Sequence, residues 1–596
     1  MNVSFTYSSG LLRRYLAPLW RPALLMSALL LVAIAIELIG PQIMRSFIDT
    51  AERGGPASAL ANAALLFIAA ALVGQAVRIG AAYMSEIVGW AATNRLRGDL
   101  LRHVLGLDLS FHKQHPPGAL IERIDGDVTA LANFFSQFVV ALLGNLLLLI
   151  GVLALLWRED WRAGLGVSIY ALVTLAALNT VQRVGSARWQ AALQSEADLG
   201  GFLEERLRAT EDIRANGAEL HILRQLDTLL TSQLAVLLRA FLARTYIFIT
   251  SQALFAVGFA SGLALGAWLY TQGQATIGTA FLITVYVGLL ARPLEGIRNQ
   301  AEDMQQASAG LARVAALLGT QPVIREQPSA ELPSGPLNVT FAGVTFSYGD
   351  ELPAGGSQAD PTTQPDHVLQ DIAFDLPAGH TLGVLGRTGS GKTTLIRLLL
   401  RLYDPGAGGI RLGGHNLRDL ALSDVRRRVG VVTQDVQIFG ASARENITLF
   451  DRQIDDAAIW RVLEALGLRE LIERLPQGLD TRLGSGGVGL SAGQAQLLAC
   501  ARVFLRDPGL IILDEASSRL DPASEALLER AIDRLLAGRS AVIIAHRLAT
   551  LRRADSILVL DHGRVAEFGP RATLAADPHS RFAELIRLGE DASTYR

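Results

Sequence analysis

Six apolar stretches, each long enough to form a helix that crosses a bilayer, dominate the first 300 residues of this chain: 23–44, 57–77, 134–157, 163–182, 245–270 and 275–291. A hydrocarbon core about 30 Å thick takes about 20 apolar residues as helix. The third, fourth and fifth stretches contain no Asp, Glu, Lys or Arg. Helices buried in a large soluble protein seldom exceed about 18 residues without a polar face, so six membrane spans are the better explanation. The whole chain is only 18% charged, below the roughly 25% of an ordinary soluble domain, which argues against a soluble enzyme. Its net charge of −2 argues against a nucleic-acid binder, whose phosphate contacts demand a basic surface.

Basic residues set the orientation. Arg13, Arg14 and Arg21 precede the first span, Arg95, Arg97, Arg102, Lys113 and Arg123 lie between the second and third, and a third group from Arg183 to Arg239 lies between the fourth and fifth. The opposite side offers only Arg53, Arg158 and Arg162. The positive-inside rule therefore places both termini and two long segments in the cytoplasm, and the membrane expected is the cell's inner (plasma) membrane. Arg13-Arg14 does not read as a twin-arginine signal, because no small-residue cleavage site follows. Apolar residues recur at helical spacing around Arg123 and around Arg214, which predicts spans that continue into the cytoplasm as rods. Within the spans Glu37 and Arg78 are the conspicuous ionisable groups. Either they touch substrate, or Arg78 snorkels to the boundary and Glu37 is a packing acceptor.

Near 301–336 the composition turns polar, and short β runs then alternate with helices, as a linker followed by an α/β domain would. The run 381–394 places a β segment before Gly386-Arg387-Thr388-Gly389-Ser390-Gly391-Lys392-Thr393-Thr394, and an apolar helix follows. That is the context a P-loop requires. Glycines let backbone N–H groups turn onto phosphates at a helix N-terminus, Lys392 reaches the β- and γ-phosphates, and Thr393 ligates magnesium. Of the 54 basic residues only Lys113 and Lys392 are lysines. A compact ammonium fits a phosphate cradle that a planar guanidinium would crowd. A second buried strand ends in Asp514-Glu515, with Asp514 assigned to magnesium and Glu515 to the attacking water.

Leu490-Ser491-Ala492-Gly493-Gln494 precedes that strand, Gln434 follows Val431-Val-Thr, His546 follows Ala541-Val-Ile-Ile-Ala, and Tyr348 lies upstream of the P-loop. With the P-loop this set resembles the ATP-binding cassette (ABC) family, and six spans ahead of one cassette resemble its exporter-type half-transporters. The resemblance implies an all-α transmembrane domain over 1–320, a linker over 321–336, an α/β P-loop NTPase cassette over 337–590 and a tail over 591–596. It further implies that Tyr348 stacks on adenine, that Gln434 approaches magnesium and senses the γ-phosphate, and that His546 holds that phosphate. Ser491, Gly493 and Gln494 would cap a nucleotide held by a second cassette, and Asp521 would lie across the interface. The cofactors implied are ATP and magnesium, and the partner is a second half-transporter.

Three positions depart from the family's commonest pattern. Ala492 stands in the signature where Gly is usual, Ser485 where an acid is common, and Arg519 where a small residue is common. With an intact Lys392, Asp514, Glu515 and His546, these departures favour a heterodimer over a homodimer. Residues 349–366, rich in Pro, Gly and acids, read as a surface loop. The resulting expectation is an ATP-driven exporter of a hydrophobic or amphipathic substrate, with a nucleotide-gated channel or regulator and an importer as alternatives. Span aromatics such as Phe255, Phe259 and Tyr286 either line an apolar cavity or anchor packing. The lone Cys500 forms no intramolecular disulfide.

Overall fold

The computed structural model describes residues 14–15, 17–133, 139–326, 329–348, 367–484, 486–514, 522–544 and 548–594. The chain divides into two compact units, one of residues 1–106 with 117–320 and the other of residues 107–116 with 321–596.

The first unit is helical. Its principal helices are α1 (Trp20–Glu52), α2 (Ala57–Leu105), α3 (Asp127–Asn133), α4 (Val139–Glu159), α5 (Trp161–Arg208), α6 (Glu219–Thr271), α7 (Ile277–Leu289) and α8 (Ala291–Gly319). Six helices among the described residues are long and apolar enough to cross a membrane. With 49, 48 and 53 residues, α2, α5 and α6 extend roughly 70–80 Å at about 1.5 Å per residue, more than twice a bilayer core. The predicted rods are thus largely continuations of spans, but neither is unbroken. Arg123 lies in a five-residue π-helical turn, Glu122–Gly126, and Arg214 in a separate short helix, Thr210–Ala215.

Small residues let these helices approach closely, which is how spans associate in lipid. A Cβ on Gly258 would fall 2.2 Å from the Tyr170 ring, and one on Gly266 2.9 Å from the Ala280 backbone. Beside the α1–α2 turn, Arg45 pairs with Glu159 at 2.6 Å, and Asp49 accepts from the Gly278 N–H at 3.0 Å, tying α1 to α4 and α7. Tyr286 is fully buried, donates to the Leu38 carbonyl at 2.9 Å and accepts from Gln42 at 3.1 Å. It is a packing anchor. Arg313 grips the buried Asp127 carboxylate with two hydrogen bonds, joining α8 to α3, and that carboxylate holds the guanidinium above its ordinary value.

The second unit carries two sheets. Strands β1 (Val339–Phe346), β2 (Leu369–Leu376), β4 (Ala407–Leu412) and β5 (His415–Asn416) form an antiparallel sheet in the order β2-β1-β4-β5. The larger sheet contains β3 (Thr381–Gly386), β6 (Val429–Val432), β7 (Leu510–Asp514), β8 (Ser540–Ile544), β9 (Ser556–Asp561) and β10 (Arg564–Pro570), ordered β10-β9-β3-β8-β7-β6. All its pairings are parallel except β9 with β10. Strands covered on both faces should read as unbroken apolar runs. Ile511, Ile512, Val542 and Ile543 are accordingly buried. Helices α9 (Lys392–Leu399), α10 (Ala443–Thr448), α11 (Ala492–Leu505) and α12 (Pro522–Leu536) belong to this unit.

Candidate functional site

Parallel strands deliver their following loops to one edge of a sheet, and ligands of open α/β sheets bind outside those carboxyl ends. Here β8 lies between β3 and β7, with Val384 and Asp514 both opposite Ile544, and β6 flanks β7 with Val432 opposite Leu513. The P-loop after β3, Asp514 at the end of β7 and Gln434 just beyond β6 therefore share one edge. Glu515, Asp521 and His546 lie outside the described residues, as do Ser485, Arg519 and the 349–366 segment.

The P-loop conformation explains its glycines. Gly389 and Gly391 have φ of +84° and +100°, a left-handed region costly to any side chain. A Cβ on Gly391 would also fall 2.4 Å from Leu369 Cδ2. Gly391 caps α9, so the first turn of the helix presents its N–H groups towards the loop. Lys392 is buried and its ammonium donates to the Gly386 and Arg387 carbonyls at 2.6 and 3.0 Å. Ser390 Oγ is buried without a hydrogen-bond partner among the described residues. An orphan hydroxyl, an ammonium and a helix N-terminus around one loop form a donor set that fits a phosphate chain.

The two threonines divide. Thr393 is exposed at the loop, whereas Thr394 is buried and hydrogen-bonds the Tyr348 hydroxyl at 3.0 Å. Of the two side chains, Thr393's is the one open at the loop. Thr394 instead ties Tyr348 to the P-loop helix, and Arg397 adds a second tie at 3.1 Å. Phe346 and Tyr403 pack edge-on to the ring at 4.9 and 5.1 Å. The Lys113 ammonium, from the segment that clusters with this unit, lies 4.8 Å from the ring centroid. Tyr348 and the P-loop helix are thereby held at a set separation, through Thr394 of the motif and through Arg397, which no motif singled out.

Ser491 caps α11 and forms a reciprocal capping box with Gln494, at 3.2 and 2.9 Å. Ser491 and Ala492 are exposed and Gly493 is buried. Ala492 sits at the first helical position, where its methyl group reaches solvent and no left-handed backbone is needed. The stretch after Gln434 is clamped from behind. Fully buried Asn446 accepts from the Phe439 N–H and donates to the carbonyls of Phe439, Ala441 and Ser442. Arg502 of α11 donates to the Gln437 carbonyl at 3.0 Å and to the Asn446 carbonyl at 2.7 Å, and burial pulls its guanidinium below its ordinary value. Only the type of Asn446, an amide among the buried residues of α10, hinted at this.

In the helical unit Glu37 accepts from Arg78 at 3.3 Å and stands 4.0 Å from Arg292. Arg78 therefore pairs with Glu37 and does not snorkel alone. A lone charge at a span's centre costs about 2.5–3.5 kcal/mol on insertion, which pairing offsets.

Residues 24–294 match the model of the ABC transporter transmembrane region and 369–518 that of the ABC transporter. The ATP-dependent lipid A-core flippase of Syntrophus aciditrophicus is 30% identical over 503 residues, covering 83% of this chain and 80% of that protein. The chain belongs to the ABC transporter family. It is also similar to the human mitochondrial iron-sulfur clusters transporter, 30% identical over 88% of this chain and 69% of that protein. A solved bacterial Atm1-family ABC exporter with ATP bound shares its fold, with TM-score 0.78, 24% identity, and coverage of 96% of this chain and 98% of that one. This ABC transporter is accordingly a multi-pass membrane protein with an exporter-type fold, a nucleotide-binding cassette and an ATPase activity coupled to transport. As a half-transporter it works as a dimer.

Proposed function

We propose that this transporter exports a hydrophobic or amphipathic substrate from the cytoplasm across the inner (plasma) membrane, with both termini and the cassette cytoplasmic. Its domains are a membrane domain over 1–320, a linker over 321–336, a cassette over 337–590 and a tail over 591–596. The observation that carries the reading is the shared sheet edge, which gathers the P-loop, Asp514 and Gln434 in a chain that also supplies six spans.

Tyr348 stacks on adenine, the N–H groups of 386–391 with Lys392 and Ser390 hold the phosphates, and Thr393, Gln434 and Asp514 hold magnesium. Magnesium supplies charge neutralisation at the phosphates. Glu515 orients and deprotonates the attacking water, and His546 contacts the terminal phosphate. Ser491, Gly493 and Gln494, at the exposed start of α11, cap the nucleotide of the opposite cassette, with Asp521 across the interface. Since no chain caps its own nucleotide, two cassettes close over two ATP molecules. To move the dimer from almost fully open to almost fully closed, ATP must favour the closed state by about 5.5 kcal/mol.

The partner is a related half-transporter. Relatives carry names as different as lipid A-core flippase and iron-sulfur clusters transporter, so kinship leaves the cargo open. Transport into inverted vesicles by Glu515→Gln tests the mechanism: loss of steady-state hydrolysis and transport is expected, and their retention overturns the assignment. A stable dimer of this chain alone with full, transport-coupled ATPase activity would refute the heterodimer.

A further inference from the structure

Two adjoining cavities in the helical unit share Ala33, Glu37 and Arg78. One, of about 270 Å³, is walled by apolar side chains including Ile36, Met44, Phe67, Phe281 and Val285. The other, of about 590 Å³, gathers Glu37, Arg78, Asn145, Arg292 and Glu295. Glu37 lies about 15 residues, roughly 22 Å, from the end of α1, and Arg292 the same distance from the start of α7, so the charges sit at span depth. Gly296 is part of the construction, because a Cβ there would fall 2.0 Å from Asn145 Nδ2.

The four charges sum to zero but do not satisfy one another. Among the described residues Glu37 takes a single hydrogen bond, from Arg78, and is 4.0 Å from Arg292. Two guanidinium groups carry ten N–H donors, and among the described residues no other acceptor meets them. Glu295, one turn beyond Arg292 on α8, makes no ion pair among the described residues. The chamber thus offers surplus cationic donors and a separate unpaired carboxylate, beside an apolar pocket.

We propose that these cavities form the binding site for a zwitterionic amphiphile: an oxyanion received by Arg78 and Arg292, a primary ammonium received by Glu295 and Asn145, and an acyl chain lying among Phe67, Phe281 and their neighbours. A purely anionic head leaves Glu295 facing it with like charge, and a purely cationic head faces two guanidinium groups, so a head carrying both charges is the match. This rests on the transporter reading and names the class of its substrate.

The test is equilibrium binding to the full-length chain in neutral-lipid nanodiscs without nucleotide, using four amphiphiles of one chain length: lysophosphatidylethanolamine, lysophosphatidylcholine, lysophosphatidic acid and the alkylamine. Lysophosphatidylethanolamine is expected to bind tightest. Glu295→Gln weakens it about ten-fold and leaves lysophosphatidic acid unweakened, whereas Arg292→Gln weakens both about ten-fold, the scale of one charge-assisted contact. Equal binding of all four heads, or tightest binding of the purely anionic or cationic one, overturns the proposal without any variant. Glu295→Gln acting equally on both phosphate ligands also overturns it. Because nucleotide is absent, failure here leaves the Glu515 experiment intact, and failure of that experiment leaves this binding measurable.

Discussion

Arg502 Nε donates to the main-chain oxygen of Asn446 at 2.7 Å, so the helix that begins at the signature Ser491 is bonded to the segment that follows Gln434. One guanidinium spans the two, since its Nη2 also reaches the Gln437 carbonyl. A shift of the segment after Gln434 therefore pulls on the helix that starts at Ser491, and under the proposed roles this would link a cassette's own nucleotide to the surface proposed to cap its partner's.

Asn446→Ala should strip buried carbonyls and an N–H of their partners. Unsatisfied buried groups cost about 1–3 kcal/mol each, and with partial relaxation a loss of about 2–4 kcal/mol is expected, read as a lowered Tm. Arg502→Gln keeps a donor but cannot span both carbonyls. Its ATPase rate is expected to fall about ten-fold with a smaller change in Tm, and an unchanged rate would remove the proposed link.

In the P-loop, Gly391→Ala places a methyl group 2.4 Å from Leu369 Cδ2 at a φ of +100°. Fluorescent ATP-analogue titration should show at least about ten-fold weaker binding. Lys392→Arg should fail to restore what Lys392→Ala loses, because a planar guanidinium does not fit where the ammonium contacts two carbonyls.

Tyr348→Phe keeps the ring and removes the hydroxyl held by Thr394 and Arg397. A net hydrogen bond is worth about 0.5–1.5 kcal/mol, so the Kd for ATP should rise about three-fold. Tyr348→Ala also removes the ring proposed to stack on adenine and should weaken binding several-fold further. Equal effects of the two substitutions would mean that the ring contributes nothing to nucleotide binding.

Cys500 is fully buried, and burial pushes its thiol up to about 12. A thiol raised in the folded state stabilises the fold fully below the ordinary value near 8.5 and progressively less as pH rises towards the folded value. At pH 8 the native protein should react with a disulfide reagent far more slowly than the urea-unfolded chain, and comparable rates would contradict the burial.

Much of the site was legible because phosphate chemistry leaves few options. Gly389, Gly391 and Lys392 are required by backbone geometry and charge over a short run of residues, so their order along the chain is enough to recognise them. Arg397 and Arg502 were not legible. Each acts by reaching a carbonyl or hydroxyl far along the chain, and an arginine in a chain with 52 arginines carries no signal of where its guanidinium points. Thr393 and Thr394 are chemically identical in sequence, and only the turn of α9 sends one to the loop and the other to Tyr348.

The six spans, the cassette and the phosphate loop follow from the sequence alone, because lipid demands long apolar runs and a phosphate cradle demands glycine, lysine and a helix start in fixed succession. Which charges meet inside the helical unit is decided only by tertiary structure. Glu37, Arg78, Glu295 and Arg292 lie on α1, α2 and α8, and hydropathy records just that each is a polar interruption. Helix packing brings them to one chamber, and it leaves Arg292 and Glu295, three residues apart, unpaired with each other. Pairing depends on direction and distance across helices, neither of which a linear pattern contains.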